Sequence, residues 1–555
     1  MRKFKKSSVV TLSLAATLAL AACSSDPEET EENVGGDGTA EETEETEDGD
    51  DEGDGEAAAG DGGELVIAVA ADGVSMDPHG SNDNPSAKYR SLVYETLVTL
   101  DSETNELTTD GLAESYEQVD DTTWEFSLHE GVEFHNGEEL TADDVVATLD
   151  RIRDPEVASQ GAFLYEMIES VEAVDEQTVQ ITTEFPFAPL PNHLAHNAGG
   201  IISEVAIEQH DAGEINLDIG EGEAGTGQFV FDSWSQGSDI RFTANENYWG
   251  DAANVDSVVF QVIEEEPTRI GNLTNGDIHI ADQIQPALVN QVESIDGASL
   301  LAVPSLSLTY VGFNTEAEPL DDVRVRQAIS LSINNEELVE GIYEGYGSGA
   351  KGPINELVFG YDPELEDIGY DPERAQELLA EAGYEDGFDI TIKMNAGNPI
   401  REQTAVYIQD QLNANGINAQ LEQVEWGAFL EETGEGDSEL FVLGWVTVTG
   451  DADYGMYSLF HSDNHGEVGN RSFYTNEDVD ELLDQARQAE DPAEREELYS
   501  EVQEILVDEA PMIYTAFDDL RVGILDSVEG FVQHPNGQFD LSDVTISEEA
   551  GGSSY

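Results

Sequence analysis

From residue 64 onward, apolar residues fall into short blocks with two different spacings. Leu65-Val66-Ile67-Ala68-Val69-Ala70 is a continuous apolar run, the pattern of a strand covered on both faces. Trp124, Phe126 and Leu128 alternate with Thr123, Glu125 and Ser127, which predicts a strand with one buried face. Ser257 to Ile263 and Asp389 to Met394 read as further strands. Helical spacing interleaves with these. Asp371 is placed as an N-cap with Pro372 in the first turn, Ala375, Leu378, Leu379 and Ala382 form an inward face, and Gly383 supplies the stop. Val479, Leu482, Leu483 and Ala486 repeat the pattern, and another helix opens at Asp491-Pro492 with Leu498, Val502 and Ile505 inward. Strands mixed with helices over about 490 residues, without a fixed-period repeat, predict α/β or mixed α+β domains and exclude a solenoid.

The first 63 residues follow other rules. Arg2, Lys3, Lys5 and Lys6 precede an apolar stretch from Val9 to Ala22 that is short for a bilayer crossing and ends on small residues, the order of a secretory signal. Cys23, directly after Leu20-Ala21-Ala22, is the only cysteine, so no intrachain disulfide can form. Its setting resembles the lipobox of bacterial lipoproteins, which implies a lipidated Cys23 at the start of the mature chain. From Asp26 to Gly63 the chain is almost free of large apolar residues and cannot bury enough surface to offset its ordering entropy, so it reads as an extended acidic tether.

Charge narrows the function further. Against 121 acidic residues stand 20 basic ones, four of them in the leader, and the net charge is −101. Nucleic acid is excluded as a partner. Acidic residues continue through the globular region, as in Glu114 to Asp121 and Glu494 to Glu504, which reads as adaptation to high salt, where self-repulsion is screened.

Standard catalytic signatures are missing: there is no phosphate-binding G-x-x-x-x-G-K-[ST], no H-E-x-x-H, no G-x-S-x-G and no cysteine pair for a metal. Gly220-Glu221-Gly222-Glu223-Ala224-Gly225 fits G-x-G-x-x-G, but Thr226 to Phe231 after it reads as a turn into a strand, without the helix a pyrophosphate needs. The pairs His193/His196 and His461/His465 have spacings a metal could use, yet scattered histidines produce such pairs by chance, and structural roles are the expectation. No cofactor and no metal are expected.

Three stretches together resemble the peptide-binding proteins of ABC importers, solute-binding protein family 5, which includes dipeptide-, oligopeptide-, nickel- and glutathione-binding members. The first joins Gly111-Leu112-Ala113-Glu114-Ser115, Trp124 to Leu128, Gly131-Val132-Glu133-Phe134-His135-Asn136-Gly137 and Leu140 to Val146. The second is Gly225-Thr226-Gly227-Gln228-Phe229, with Gln228 where the family usually has proline, and Asn247-Tyr248-Trp249-Gly250 downstream. The third runs from Asp321 to Ile329 through the helix at Asp371 to Ala510-Pro511. Gly444-Trp445 through Gly450-Asp451-Ala452-Asp453-Tyr454 is most similar to the glutathione-binding branch.

The resemblance implies a type II periplasmic-binding-protein-like fold of two hinged lobes plus an extra domain. Expected segments are a signal peptide at 1–23, a linker at 24–63, a discontinuous first lobe at 64–108, 218–312 and 524–555, the extra domain at 109–217, and the second lobe at 313–523. It also implies a short peptide held between the lobes, with Asp451 meeting the ligand's ammonium and Arg401 its carboxylate, while Asp453, Trp445 and Tyr454 complete the site. A zwitterion leaving water needs an opposite charge at each end. Partners would be the importer's permease and ATPase, with the protein anchored outside the cell membrane, or in a periplasm if a second membrane is present, and catalysing nothing. The same fold with another cargo, a nickel chelate or an oligosaccharide, is the alternative; an extracellular hydrolase would need a nucleophile or metal cluster absent from the motifs.

Overall fold

The apolar run at Glu64–Val69 becomes an interior strand, paired in parallel with Ser257–Val262 on one side and Ile280–Ala281 on the other. The computed structural model describes residues 62–547, so the leader, Cys23, nearly all of the acidic tether and the last residues of the chain lie outside the described residues. Glu64–Val69 belongs to an eleven-stranded sheet. From one edge the order is Asn418–Val424, Asp389–Asn395, Leu440–Val446, Ala298–Phe313, Met512–Leu525, Ile280–Ala281, Glu64–Val69, Ser257–Val262, Asp239–Ala244 and Phe229–Ser235, with Gly347–Gly349 added to Met512–Leu525.

Two antiparallel strands at the centre, Ala298–Phe313 and Met512–Leu525, carry the chain from one half of the sheet to the other. Their register breaks between Pro304 and Leu308. Before the break, Ala298 to Pro304 pair with Leu525 to Asp519; after it, residues from Leu308 on pair with Phe517 to Met512 and, on the other side, with Leu440–Val446. Proline cannot donate to the ladder, which suits Pro304 to the point where pairing lapses.

Helices expected from capping form as the residues dictate. The Asp371 side chain accepts from the Arg374 N–H, Pro372 opens the helix Pro372–Ala382, and Gly383 ends it at φ +91°. The helix Pro492–Glu509 forms too, but its inward face differs from the expected one. Arg495, Tyr499, Val502, Gln503 and Leu506 are buried, while Leu498 and Ile505 pack at the margin. An arginine and a glutamine lie inward because they have partners there, which apolar periodicity does not register.

A separate four-stranded antiparallel sheet, in the order Ala113–Asp120, Thr123–Leu128, Thr178–Thr183, Ile168–Asp175, is covered by the helix Ala142–Arg153. Phe126, Leu128, Val145, Leu149, Val179 and Ile181 form its core.

The Gly225-Thr226-Gly227 and Tyr248-Trp249 motifs meet around one buried carboxylate. Thr226 Oγ1 and Trp249 Nε1 donate to Glu95 Oε2 at 2.7 and 2.9 Å, and the Tyr248 hydroxyl donates to Oε1 at 2.7 Å. Burial pushes the Glu95 pKa up despite these donors. The glycines let two backbones touch: a Cβ on Gly225 would run into the Val93 carbonyl and one on Gly227 into that of Leu92. Thus Gly220 to Gly225 is a structural turn leading into a strand. Gly225→Ala is expected to destabilise the fold by at least about 1–3 kcal/mol, the range for overpacking, read as a lower midpoint in denaturant melts.

Candidate functional site

Asp389–Asn395 runs parallel to both Asn418–Val424 and Leu440–Val446, so all three end at the same side of the sheet, at Asn395, Val424 and Val446. Open α/β sheets bind ligands just outside such carboxyl ends. Beyond Asn395, the Asn398 side chain caps the helix Pro399–Ala414 by accepting from the Arg401 N–H at 3.0 Å, which places Arg401 in the first turn, at the edge of the site.

Arg401 is half-buried and lies against Gly444, whose missing side chain leaves its room: a Cβ there would sit 3.0 Å from Arg401 Nη2. The guanidinium carbon is 5.7 Å from the Trp426 ring centre, and Nη1 donates to Asn395 Oδ1 at 3.1 Å. Burial lowers the Arg401 pKa, an effect opposed by Tyr310 and Tyr343. Its partners set it apart. Arg269 and Arg326 direct their N–H groups to several main-chain carbonyls, and Arg90 does so with the Asn197 amide added. Arg151, Arg487, Arg495 and Arg521 each face a carboxylate. Among the described residues, Arg401 faces no carboxylate within 4.0 Å and makes one side-chain hydrogen bond. A guanidinium carries five donors, so most of its binding capacity is free.

The loop after Leu440–Val446 turns at Thr447–Gly450, with Gly450 at φ +69°, and continues into a π-helical turn at Asp453–Tyr457, a geometry frequent at functional sites. Asp451 is 1% exposed, and its carboxylate is gripped at both oxygens by Arg495, at 2.8 and 2.9 Å. Arg495 also donates to the Ala486 carbonyl and the Tyr499 hydroxyl and packs over the Phe359 ring. The pair lines a groove of about 910 Å³ with Asn105, Asn192, Leu357 and Gly450.

Asp453 is likewise buried, with Arg487 Nε at 2.9 Å from one oxygen and His193 Nε2 at 3.3 Å from the other. Burial alone would raise its pKa, but Arg487 and His193, with Arg495 behind them, hold it below the ordinary aspartate value. Neither carboxylate stands alone as the expectation pictured it: Asp451 carries Arg495, and Asp453 carries Arg487 with His193 beside it.

Trp445 and Tyr454 do come together, with ring centres 5.3 Å apart, and Phe163 of the four-stranded domain stacks on Tyr454 at 6.2 Å. The indole N–H of Trp445 is buried without an acceptor. Arg401 lies on the other face of that strand, the face Gly444 presents, because successive residues of a strand point to opposite sides.

The model for bacterial extracellular solute-binding proteins, family 5, matches residues 108–467. The glutathione-binding protein GsiB of Escherichia coli O1:K1 is 33% identical over 494 residues, spanning 87% of this chain and 94% of that protein. GsiB of Pectobacterium atrosepticum is 31% identical over 493 residues, with the same coverage. Among solved structures, the ABC transporter-associated periplasmic binding protein DppA of Helicobacter pylori, in complex with the peptide STSA, superposes with a TM-score of 0.76 at 30% identity, over 88% of this chain and 98% of that one. The oligopeptide-binding protein AppA of Bacillus subtilis, in complex with a nonapeptide, gives 0.72 at 26% identity, over 88% and 99%. The chain belongs to solute-binding protein family 5. Its fold is the two-lobed fold of periplasmic binding proteins. No helix among the described residues is long and apolar enough to cross a membrane.

Within this family assignment, two residues that sequence reasoning passed over prove central, Arg487 and Arg495, while His193, expected there to be structural, lies beside Asp453. Arg495 had a signal, since Arg495 and Tyr499 stand four apart on the helix capped by Asp491. Arg487 had none, because the Asp453 it meets lies on another element of the chain.

Proposed function

We propose that this protein captures a short, carboxylate-bearing peptide of the glutathione or small-peptide class between its lobes and hands it to an ABC permease and ATPase, tethered outside the membrane through lipidated Cys23. The observation that carries the reading is Arg401: in a chain with 121 acidic residues, a half-buried guanidinium with no carboxylate partner among the described residues stands at the carboxyl ends of three parallel strands. Such a group grips a ligand carboxylate through two parallel hydrogen bonds. Relatives named for glutathione binding, and solved neighbours holding a tetrapeptide and a nonapeptide, agree with this class.

Calorimetry on the mature chain with glutathione, a dipeptide and a tetrapeptide tests the reading. Arg401→Ala is expected to weaken binding about tenfold to hundredfold, because hydrogen bonds to charged groups contribute about 1.5–3 kcal/mol. Arg401→Lys should recover part of the loss, since it keeps the charge without the planar fork. Equal affinity for parent and Arg401→Ala would remove Arg401 from the site.

A further inference from the structure

The loop from Thr447 to Tyr454 is touched by two side-chain amides that come from far back in the chain. One sits at the tip of a short hairpin formed by Thr99–Leu100 and Leu107–Thr108. Its own contacts fold that tip: Asp101 Oδ1 accepts from the Thr104 N–H and hydroxyl at 2.7 and 2.9 Å, and the Asn105 N–H donates to the Asp101 carbonyl at 2.9 Å. Asn105 takes the left-handed backbone at φ +58°, which asparagine tolerates better than most residues. Glu103, Thr104 and Glu106 around it are exposed, yet Asn105 is 3% exposed, so another part of the molecule covers it.

That cover is a pair of loops. Asn105 Nδ2 donates to the Leu357 carbonyl at 2.9 Å. Gly450 lies so close that a Cβ on it would be 2.8 Å from Asn105 Nδ2 and 3.1 Å from the Asn105 carbonyl oxygen. The two loops are laced together, since the Phe359 N–H donates to the Gly450 carbonyl at 2.9 Å and the Ala452 N–H to the Phe359 carbonyl at 3.0 Å. One residue before Gly450, the Thr449 carbonyl accepts from the Asn192 amide at 3.0 Å. The hairpin is braced from behind by His534: its Nδ1 accepts from the Asn536 N–H at 3.3 Å, so Nε2 carries the hydrogen and donates to the Leu100 carbonyl at 3.1 Å. On the segment boundaries expected from the sequence, Asn105 belongs to the first lobe and Asn192 to the extra domain, whereas Leu357, Thr449 and Gly450 belong to the second lobe.

We propose that Asn105 and Asn192 are positioning residues, two amide clasps that hold the second-lobe loops against the rest of the molecule and so set how long a captured ligand stays. This rests on the peptide-binding reading only for what is captured; the clasps themselves are independent of it. Their chemistry makes the contact reversible. Asn105 gains one hydrogen bond, but its Oδ1 is buried with no donor among the described residues, and an unmet acceptor costs on the order of what one hydrogen bond contributes. Clasped and open forms therefore lie close in free energy, and ligand contacts tip the balance. Neither amide is charged, so brine does not screen the clasps.

The test compares the mature protein with Asn105→Asp and Asn192→Asp, made singly and studied in molar salt. Each change keeps the side chain's size, replaces the donor that faces a carbonyl by a second acceptor, and adds a charge that docking would have to strip of water. With glutathione, a dipeptide and a tetrapeptide as probes, stopped-flow measurements should show release at least about tenfold faster from Asn105→Asp, and a smaller acceleration from the half-buried Asn192→Asp, at nearly the parent's association rate. A merely structural role would lower the Tm and the fraction able to bind, and would leave release from the bound protein unchanged. Asn192→Asp alone carries the test if Asn105→Asp does not fold. Release at the parent's rate from folded variants overturns the inference. If the parent binds none of the probes, the peptide reading fails, and small-angle scattering decides the clasps: the variants should have a larger radius of gyration than the parent, and equal radii overturn them.

Discussion

Asp451→Ala is expected to destabilise the protein by about 3–5 kcal/mol, the cost of leaving a buried charge without its partner. Arg495 would keep its contacts to Ala486, Tyr499 and Phe359 but lose both carboxylate bonds. The loop would suffer as well, since Asp451 Oδ1 also accepts from the Asp453 N–H at 2.9 Å. Asp451→Asn keeps the shape, retains one acceptor and should fall between parent and Ala. Denaturant melts beside ligand titrations separate two roles for this residue. A carboxylate that met the ligand's ammonium would, in Asp451→Asn, lose affinity at unchanged stability. The bidentate pair with Arg495 predicts the reverse order, with stability falling first and affinity following as the loop loosens.

The second large effect is expected from removing salt. With a net charge of −101, few cations are left to offset the acidic surface, because Lys88, Arg151, Arg495 and Arg521 are buried in ion pairs and Arg90, Arg269 and Arg326 hold main-chain carbonyls. At about 1 M salt charges interact over about 3 Å, and at about 0.01 M over about 30 Å, so dilution lets repulsion act across the whole molecule. Circular dichroism of the mature chain, dialysed stepwise from molar to millimolar salt, should show loss of structure that returns with salt. Unchanged spectra and an unchanged Tm throughout would mean that packing alone outweighs the repulsion.

Local rules made much of the fold legible. Asp371, Pro372 and Gly383 state a helix and both its ends, and Leu65 to Val69 state a doubly covered strand, because caps and short-range spacing act through near neighbours. The long strands Ala298–Phe313 and Met512–Leu525 were not legible, since their pairing joins residues about two hundred positions apart. The site divided the same way. Arg401 could be placed at a helix start beside the sheet, and Trp445 with Tyr454 in one motif. Whether Asp451 and Asp453 were free depended on Arg495, Arg487 and His193, and nothing local in the chain says that a charged residue on a distant helix faces inward.

The run of shared ladder through Ala298–Phe313 and Met512–Leu525 bears on how the molecule can be divided. Severing the two halves there would strip Ala298–Phe313 and Met512–Leu525 of each other, turning two interior strands into raw edges with unmet amides and carbonyls. Each fragment would be a template for aggregation, so the halves are better regarded as inseparable portions of one fabric than as modules that could be exchanged between relatives.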